Sequence, residues 1–231
     1  MTPEQLKSSI LQYAIQGKLV EQRPEEGTAE ELYQQIQEEK KRLIKEGKIK
    51  KEKPMPLITE DEIPFDIPES WKWVKIGTIV SLLSGSDFPP TKYNDKNIGV
   101  PYMTGASNIE NSHLIINRWT DTPNNISEKG DLLLVCKGSG YGKTVKNDIG
   151  SVHIARQFMA FKAGFPLDYD YLNYFLQSQL LKIKQNGQGV IPGIDRDFVL
   201  SILMPLPPLM EQHRIVTKIE ELLPYCDRLK E

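Results

Sequence analysis

The residue pattern predicts an α+β protein in which one mixed, strand-rich domain is flanked by helices that pair as an antiparallel or coiled-coil-like spacer. Three observations carry this. Apolar residues recur at helical spacing before residue 50 and again after Pro208; from Trp71 to Pro205 they gather in short β-branched and aromatic runs; and four prolines within residues 54–70 separate the two regimes. The segments that follow are a helical region over 1–53, a proline-rich connector over 54–70, a strand-rich domain over 71–205 and a C-terminal helix over 206–231.

Thr2-Pro3-Glu4-Gln5 opens the first helix, with Thr2 as cap, Pro3 in the first turn and Gln5 placed to reach back in a capping box. Leu6, Ile10, Tyr13 and Gly17 follow at spacings of four, three and four, an apolar seam with a glycine stop. Thr28-Ala29-Glu30-Glu31 repeats the capping box before Leu32, Ile36, Leu43 and Ile44, and Gly47 ends that helix. Pro54, Pro56, Pro64 and Pro68 each lack an N–H and restrict the residue before them, so this stretch reads as an extended connector.

Strands are expected in WVKIGTIV, GVPYM, HLIINRW, GDLLLVC and HIARQFMAFK, divided by Gly, Asn, Asp and Pro clusters. A helix capped by Asp168 and running to Gln185 interrupts them, with Leu172, Phe175, Leu176, Leu180 and Ile183 on one stripe; a last strand, VLSILMP, leads to Pro205-Leu206-Pro207-Pro208. The closing helix carries Ile215, Ile219, Leu222, Cys226 and Leu229 at heptad spacing, and Pro224 within it is expected to kink or divide it. The seams of the first helix (Leu6, Ile10, Tyr13) and of the last (Ile215, Ile219, Leu222, Leu229) need partners, either each other or a second molecule, and these seven residues are the candidate dimer or methyltransferase interface.

Composition narrows the function. A chain of 231 residues with 39% apolar residues is long enough for a real core, and no apolar run approaches the roughly 18 residues of a membrane span. The N-terminus lacks the order of a signal peptide, so a cytoplasmic protein with no membrane association is expected. Cys136 and Cys226 stand far apart, which excludes a disulfide framework or a cysteine zinc site. The net charge of −2 hides an asymmetry: residues 71–205 carry 14 Lys/Arg against 11 Asp/Glu, whereas residues 1–70 carry 11 against 15 and residues 206–231 carry 4 against 5. A polyanion-binding centre between neutral or acidic supports would have this distribution. The basic run over 40–53 reads either as a solvated helix end and linker or as a phosphate-contacting patch.

Lys137-Gly138-Ser139-Gly140-Tyr141-Gly142-Lys143-Thr144 imitates a phosphate-binding P-loop, but Lys137 occupies the position of the first glycine and the following segment reads as a strand rather than a helix. A glycine-rich hairpin tip able to approach a DNA backbone fits better, and a P-loop-like nucleotide-binding enzyme is the weakest alternative. Phe88-Pro89-Pro90-Thr91 lacks the polar and aromatic residues of a base-methylating loop, Glu46-Gly47-Lys48 lacks the upstream carboxylate of a nuclease motif, and His113, His153 and His213 have no ligand or triad spacing. No catalytic residue, metal ligand or cofactor site is therefore assigned. The loops hold side chains suited to phosphates and base edges: Ser86, Lys92, Tyr93, Lys96, Thr104 and Asn108, then Lys137, Ser139, Tyr141 and Lys143, then Arg156 and Gln188, with Asn94, Ser107, Gln157 and Arg196 beside them.

Pro205-Leu206-Pro207-Pro208-Leu209-Met210-Glu211-Gln212-His213-Arg214-Ile215-Val216, continued by Lys218-Ile219-Glu220-Glu221-Leu222, resembles the specificity subunit of type I restriction–modification enzymes. LKSSILQYAIQGKLV, the stretch KEGKIKKEKPMPLITEDEIPFDIPESWKWVKIG and GQGVIPGIDRDFV match it too, so the resemblance covers nearly the whole chain. It implies a non-catalytic DNA-binding subunit whose target-recognition domain is the strand-rich segment, with specificity diverging in the loops between Ser84 and Asn117. It also implies double-stranded DNA as ligand, a methyltransferase subunit docked on the helices and carrying S-adenosylmethionine, and a restriction motor subunit reached through the complex. The family's full subunit has two recognition domains; this chain has room for one, so reading half of a bipartite target is expected, with a homodimer or a second half-subunit completing it. The alternative is a half-subunit that regulates assembly by occupying the methyltransferase.

Overall fold

The computed structural model describes residues 2–138, 140–186 and 193–228, with residues 180–186 and Asp227 described by their backbone alone. In chain order the helices are α1 (Pro3–Ile15), α2 (Ala29–Lys45), α3 (Ile76–Ile79), α4 (Tyr169–Asn186), α5 (Arg196–Ser201) and α6 (Leu209–Arg228). The first strands are β1 (Lys72–Lys75), β2 (Leu82–Ser84), β3 (Val100–Met103), β4 (Ile109–Glu110), β5 (His113–Leu114) and β6 (Trp119–Thr120). The remainder are β7 (Ile126–Ser127), β8 (Leu132–Val135), β9 (Thr144–Lys146), β10 (Val152–Ile154), β11 (Phe158–Phe161) and β12 (Leu203–Leu206). Contacts divide the chain into a helical unit (residues 1–79, 165–186 and 201–231) and a strand-rich unit (residues 80–164 and 187–200).

In the helical unit both capping boxes form. Gln5 N–H donates to Thr2 Oγ1 (3.2 Å) while Gln5 Oε1 accepts from Thr2 N–H (2.8 Å), and Thr28 and Glu31 repeat the exchange at 3.3 and 2.9 Å. Gly17 closes α1 at φ +69°, and a Cβ there would overlap the Pro68 ring, so the position requires glycine on both counts. The first and last helices are each other's partners: α1 packs on α6 and α4, and α4 packs on α6. Ile215 and Ile219 are fully buried in this packing, which corrects their assignment to an intermolecular interface. The buried residues of α1 are Leu11, Ala14 and Ile15, whereas Leu6 and Ile10 are half-buried and Tyr13 is 56% exposed. Pro224 leaves α6 one helix from Leu209 to Arg228 rather than dividing it.

The PLPPLMEQ run acts as a clamp within this unit. Glu211, buried, accepts from Trp71 Nε1–H at 2.9 Å and from Gln22 Nε2–H at 2.6 Å. Gln212 accepts from Asp168 N–H (2.9 Å) and donates to Pro207 O (2.9 Å), and Arg214 donates to both oxygens of Glu26 (2.8 and 2.6 Å). Asp168 caps α4 as expected, its Oδ1 accepting from Asp170 and Tyr171 N–H, while its Oδ2 pairs with His213 Nδ1 at 2.6 Å. The expected strand WVKIGTIV ends at Lys75, and α3 follows, where Ile76 N–H donates to Ile202 O and Gly77 O accepts from Lys40 Nζ at 2.6 Å. β1 instead pairs antiparallel with β12, Lys72 opposite Leu206. Trp71–Ile79, α4 and β12 therefore group with the helices, not with the strand-rich segment in which the 71–205 boundary placed them.

The strand-rich unit holds two four-stranded sheets, ordered β6-β3-β10-β7 and β2-β11-β8-β9, and the small β4–β5 hairpin. Among the described residues its pairings are antiparallel except β3 with β10. HIARQFMAFK is two strands: β10 belongs to one sheet and β11 to the other, with a corner at Ala155-Arg156-Gln157. HLIINRW likewise splits into β5 and β6, and the first half of VLSILMP is helical in α5. Met103, Leu133, Val135, Ile154, Phe158 and Ala160 form the centre of the apolar core.

Candidate nucleic-acid interface

The corner between β10 and β11 gathers the loops of the strand-rich unit. Gly85 N–H donates to Phe158 O and Ser86 N–H to Ile154 O, tying the 84–88 segment to it; Ala155 N–H donates to Met103 O, tying the 104–108 turn. Cys136 N–H donates to Gln157 O and Ile194 N–H to Cys136 O, which adds the 136–143 loop and the 193–196 segment. Glycine makes these approaches possible: a Cβ on Gly105 would overlap Gln157 Oε1, and one on Gly140 would overlap Ala106 Cβ. Five segments that are remote in sequence thus meet at one edge.

The glycine-rich run is a hairpin tip between β8 and β9, as its sequence predicts. Gly142 N–H donates to Val135 O (2.7 Å), Val135 N–H donates to Lys143 O (2.8 Å), and Gly138 and Gly142 take positive φ of 83° and 84°. The strand β9 follows the turn where a P-loop requires a helix, so the P-loop reading is excluded. Lys137 and Lys143 are exposed at this tip and Tyr141 is half-buried; Ser139 lies outside the described residues, as does Gln188. Arg156 projects from the corner, its side chain 70% exposed, with Nε 2.6 Å from Asp87 Oδ2 while its backbone N–H donates to Asp87 Oδ1 (3.1 Å). Ser86 is half-buried and donates from Oγ to Asn124 Oδ1 (2.9 Å).

Asn108 is a correction. It is fully buried, its Oδ1 accepts from Thr104 N–H and Oγ1, and its Nδ2 donates to Ile115 O and Asn117 Oδ1. Its amide shapes the 104–108 turn and has no capacity left for a base. Thr104 shares that turn. Arg196 also serves the fold, donating from Nη1 to Leu82 O at 2.6 Å. Asn94 does the same for its own loop: Oδ1 accepts from Lys96 and Ile98 N–H, and Nδ2 donates to Ile98 O.

Lys92, Tyr93 and Lys96 occupy the 88–99 loop, with both lysines exposed and Tyr93 half-buried. Beneath them runs an aromatic ladder: Phe88 stacks on His153 at 4.3 Å between ring centroids and meets Tyr102 edge-on at 5.7 Å, and Tyr102 lies 5.5 Å from Tyr93. His153 is fully buried; its Nδ1 faces the N–H groups of Asn124 and Asn125 and must accept, so Nε2 carries the proton toward Ser86 O at 2.9 Å. Burial lowers its pKa, which keeps the ring neutral in this role. Sequence reasoning missed Arg118, exposed, whose guanidinium covers the Tyr93 ring at 5.1 Å, and Asp87, which no motif marks. An Arg beside an aromatic loop is a weak signal that spacing alone does not raise.

Among the described residues no group of three or more His, Cys, Asp or Glu is placed to hold a metal ion, and no helix is long and apolar enough to cross a membrane. Residues 68–231 match the family described as the type I restriction modification DNA specificity domain.

This chain belongs to that family. It is 32% identical to the EcoAI specificity subunit and 30% identical to the EcoEI specificity subunit, both of Escherichia coli, in alignments that cover 97% of this chain and 40% and 41% of those proteins. The specificity-family chain thus spans about two fifths of the length of these curated relatives. Its fold resembles a chain solved in work on complex assembly and conformational transition of the type I R-M system (TM-score 0.64, 25% identity, 72% of this chain and 42% of that one). It also resembles the HsdS subunit from Thermoanaerobacter tengcongensis in fold (TM-score 0.63, 24% identity, 72% and 40%). The match includes the 205–222 run that signalled the family in the sequence, and in this structure that run is the Glu211–Gln212 clamp.

Proposed function

We propose that this chain reads DNA for a type I restriction–modification assembly without performing chemistry itself. Its strand-rich unit recognises one half of a bipartite target, and its helical unit docks a methyltransferase subunit that brings S-adenosylmethionine; a restriction motor subunit joins through that complex. The observation that carries the reading is the edge at which five loops converge with Lys137, Lys143 and Arg156 exposed, in a chain of the specificity family. Lysines at a glycine-rich tip suit phosphate contacts, because the backbone can come close to the duplex without side chains in the way. On this reading Arg156, Ser86 and Tyr141 are assigned to base contacts, with Lys92, Tyr93 and Lys96 on the neighbouring loop.

One recognition unit per chain requires a second reader for a two-part target. The half-buried Leu6, Ile10 and Leu222 and the exposed Tyr13 remain as apolar surface on α1 and α6 once Ile215 and Ile219 are committed to the core. Pairing of two copies, or of this chain with another half-subunit, through that surface would give the assembly two recognition units; with two identical copies the target is a palindrome interrupted by a spacer. Leu229, the last member of the expected seam, lies outside the described residues.

Selection from a pool of random 40-bp duplexes, with the chain bound to its methyltransferase subunit as bait, tests the reading. A split motif of fixed spacing is expected. Stable capture of the methyltransferase with no sequence enrichment would overturn it and leave a regulatory protein that occupies the methyltransferase without reading DNA.

A further inference from the structure

Arg156 differs from the other exposed cations at the loop edge in being held from two sides. The Asp87 carboxylate faces both its Nε, at 2.6 Å, and its backbone N–H, at 3.1 Å. Each partner is anchored in turn: Asp87 follows Gly85 and Ser86, whose N–H groups donate to Phe158 O and Ile154 O, and Arg156 sits in the corner fixed by Ala155 N–H to Met103 O. Neither Nη1 nor Nη2 makes a hydrogen bond to a described residue, and the side chain is 70% exposed. The outcome is a guanidinium whose stem is immobilised and whose outer fork is available. An exposed pair of this kind contributes little to folding stability, of the order of a surface salt bridge. Its effect is on geometry: a fork already oriented loses less side-chain entropy when it binds.

From this geometry, and resting on the DNA-reading proposal above, we infer that Arg156 reads a guanine in the major groove and that Asp87 is its positioning residue. Guanine is the base whose major-groove edge offers two acceptors, O6 and N7, at the spacing of an arginine fork; adenine presents a donor beside its acceptor, and the pyrimidines present a single polar group. A phosphate would also accept a fork, but it carries no base identity, and this separates the two in an experiment.

The experiment is methylome sequencing of hosts that express the methyltransferase subunit with the wild-type chain, Arg156→Ala, Arg156→Lys or Asp87→Asn. The wild-type motif is expected to contain an invariant G·C pair in the half-site, and Arg156→Ala is expected to relax that one position, with a ten- to hundred-fold loss of preference while the others stay fixed. Asp87→Asn should relax the same position less, because the guanidinium remains but loses its anchor, and Arg156→Lys should fall between wild type and alanine. A general loss of folding would lower methylation at every site and could not select one base. If Arg156→Ala lowered methylation evenly across an unchanged motif, the fork would be holding a phosphate and the inference would be overturned. A wild-type motif without a G·C pair, or a variant motif identical to wild type at full methylation, would overturn it as well while leaving the DNA-reading proposal standing. A wild-type chain that directs no motif at all would remove both. Should Arg156→Ala be inactive everywhere, Asp87→Asn decides: relaxation at one position supports the inference, and an unaltered motif overturns it.

Discussion

Replacing Glu211 tests the clamp on which the helical unit depends. The carboxylate is 1% exposed and receives Trp71 Nε1–H at 2.9 Å and Gln22 Nε2–H at 2.6 Å. Glu211→Ala would leave the indole N–H without a partner in a buried site, while Gln22, more exposed, keeps a long contact to Gly17 O at 3.4 Å and can turn toward water. A hydrogen bond to a charged group contributes about 1.5–3 kcal/mol, and an orphaned buried donor costs about 1–3 kcal/mol. Burial also raises the Glu211 pKa, so part of that gain already offsets the cost of a desolvated charge. A net loss of about 3 kcal/mol follows, which for a chain of this size lowers Tm by about 6–12 °C. Thermal unfolding followed by circular dichroism measures it directly. Glu211→Gln should lose roughly half as much, because its carbonyl can still accept from Trp71 while its NH₂ group meets the amide donors of Gln22. A drop below about 2 °C for Glu211→Ala would refute the clamp.

Lys40 supplies a pH test. It is buried against Gly77 O, and desolvation lowers its pKa from 10.5 to about 8. Between those values the unfolded chain holds a proton that the folded chain has released, so stability should rise with pH from about 8 to 10.5, by up to about 3 kcal/mol relative to Lys40→Met; denaturant titrations of both proteins that differ by a constant across that range would contradict it. In the hairpin tip, Lys137→Ala with Lys143→Ala should weaken binding to target and random DNA alike and lower the slope of log K against log salt by about 2, read by fluorescence anisotropy at several salt concentrations. Ile219→Ala should destabilise the chain by about 2–5 kcal/mol in chemical unfolding because Ile219 is fully buried within the chain, whereas Tyr13→Arg should leave stability within about 0.5 kcal/mol and shift self-association in sedimentation. The reverse pattern would place the intermolecular surface on the wrong residues.

Local chemistry makes much of this fold readable in the sequence. Both capping boxes, the stops at Gly17 and Gly47 and the Asp168 cap depend on residues close along one turn of chain, the hairpin at the glycine-rich run closes between Val135 and Lys143, and each is present. What failed depends on partners far along the chain. The α1 segment Pro3–Ile15 offers two apolar registers, and the packing of α4 and α6 selects Leu11, Ala14 and Ile15 over Leu6, Ile10 and Tyr13. HIARQFMAFK reads as one strand because no glycine or proline marks the corner at Arg156; the break exists because β10 and β11 serve different sheets. The candidate site shows the same division. The hairpin tip that carries Lys137 and Lys143 was legible from its glycines, two of which take positive φ, whereas polarity could not separate Asn108, whose amide holds its own turn, from Arg156, whose outer fork meets no described residue. Asp87 acquires meaning only from the residue it meets 69 positions later.

On the proposed function, this chain supplies sequence preference to a methyltransferase that lacks it. Methylome sequencing of a host carrying the chain and its methyltransferase subunit, and nothing else of the system, tests it most directly. A split palindromic motif methylated on both strands is the predicted result; co-purification of the two proteins from a host whose genome carries no new methylated motif would contradict it.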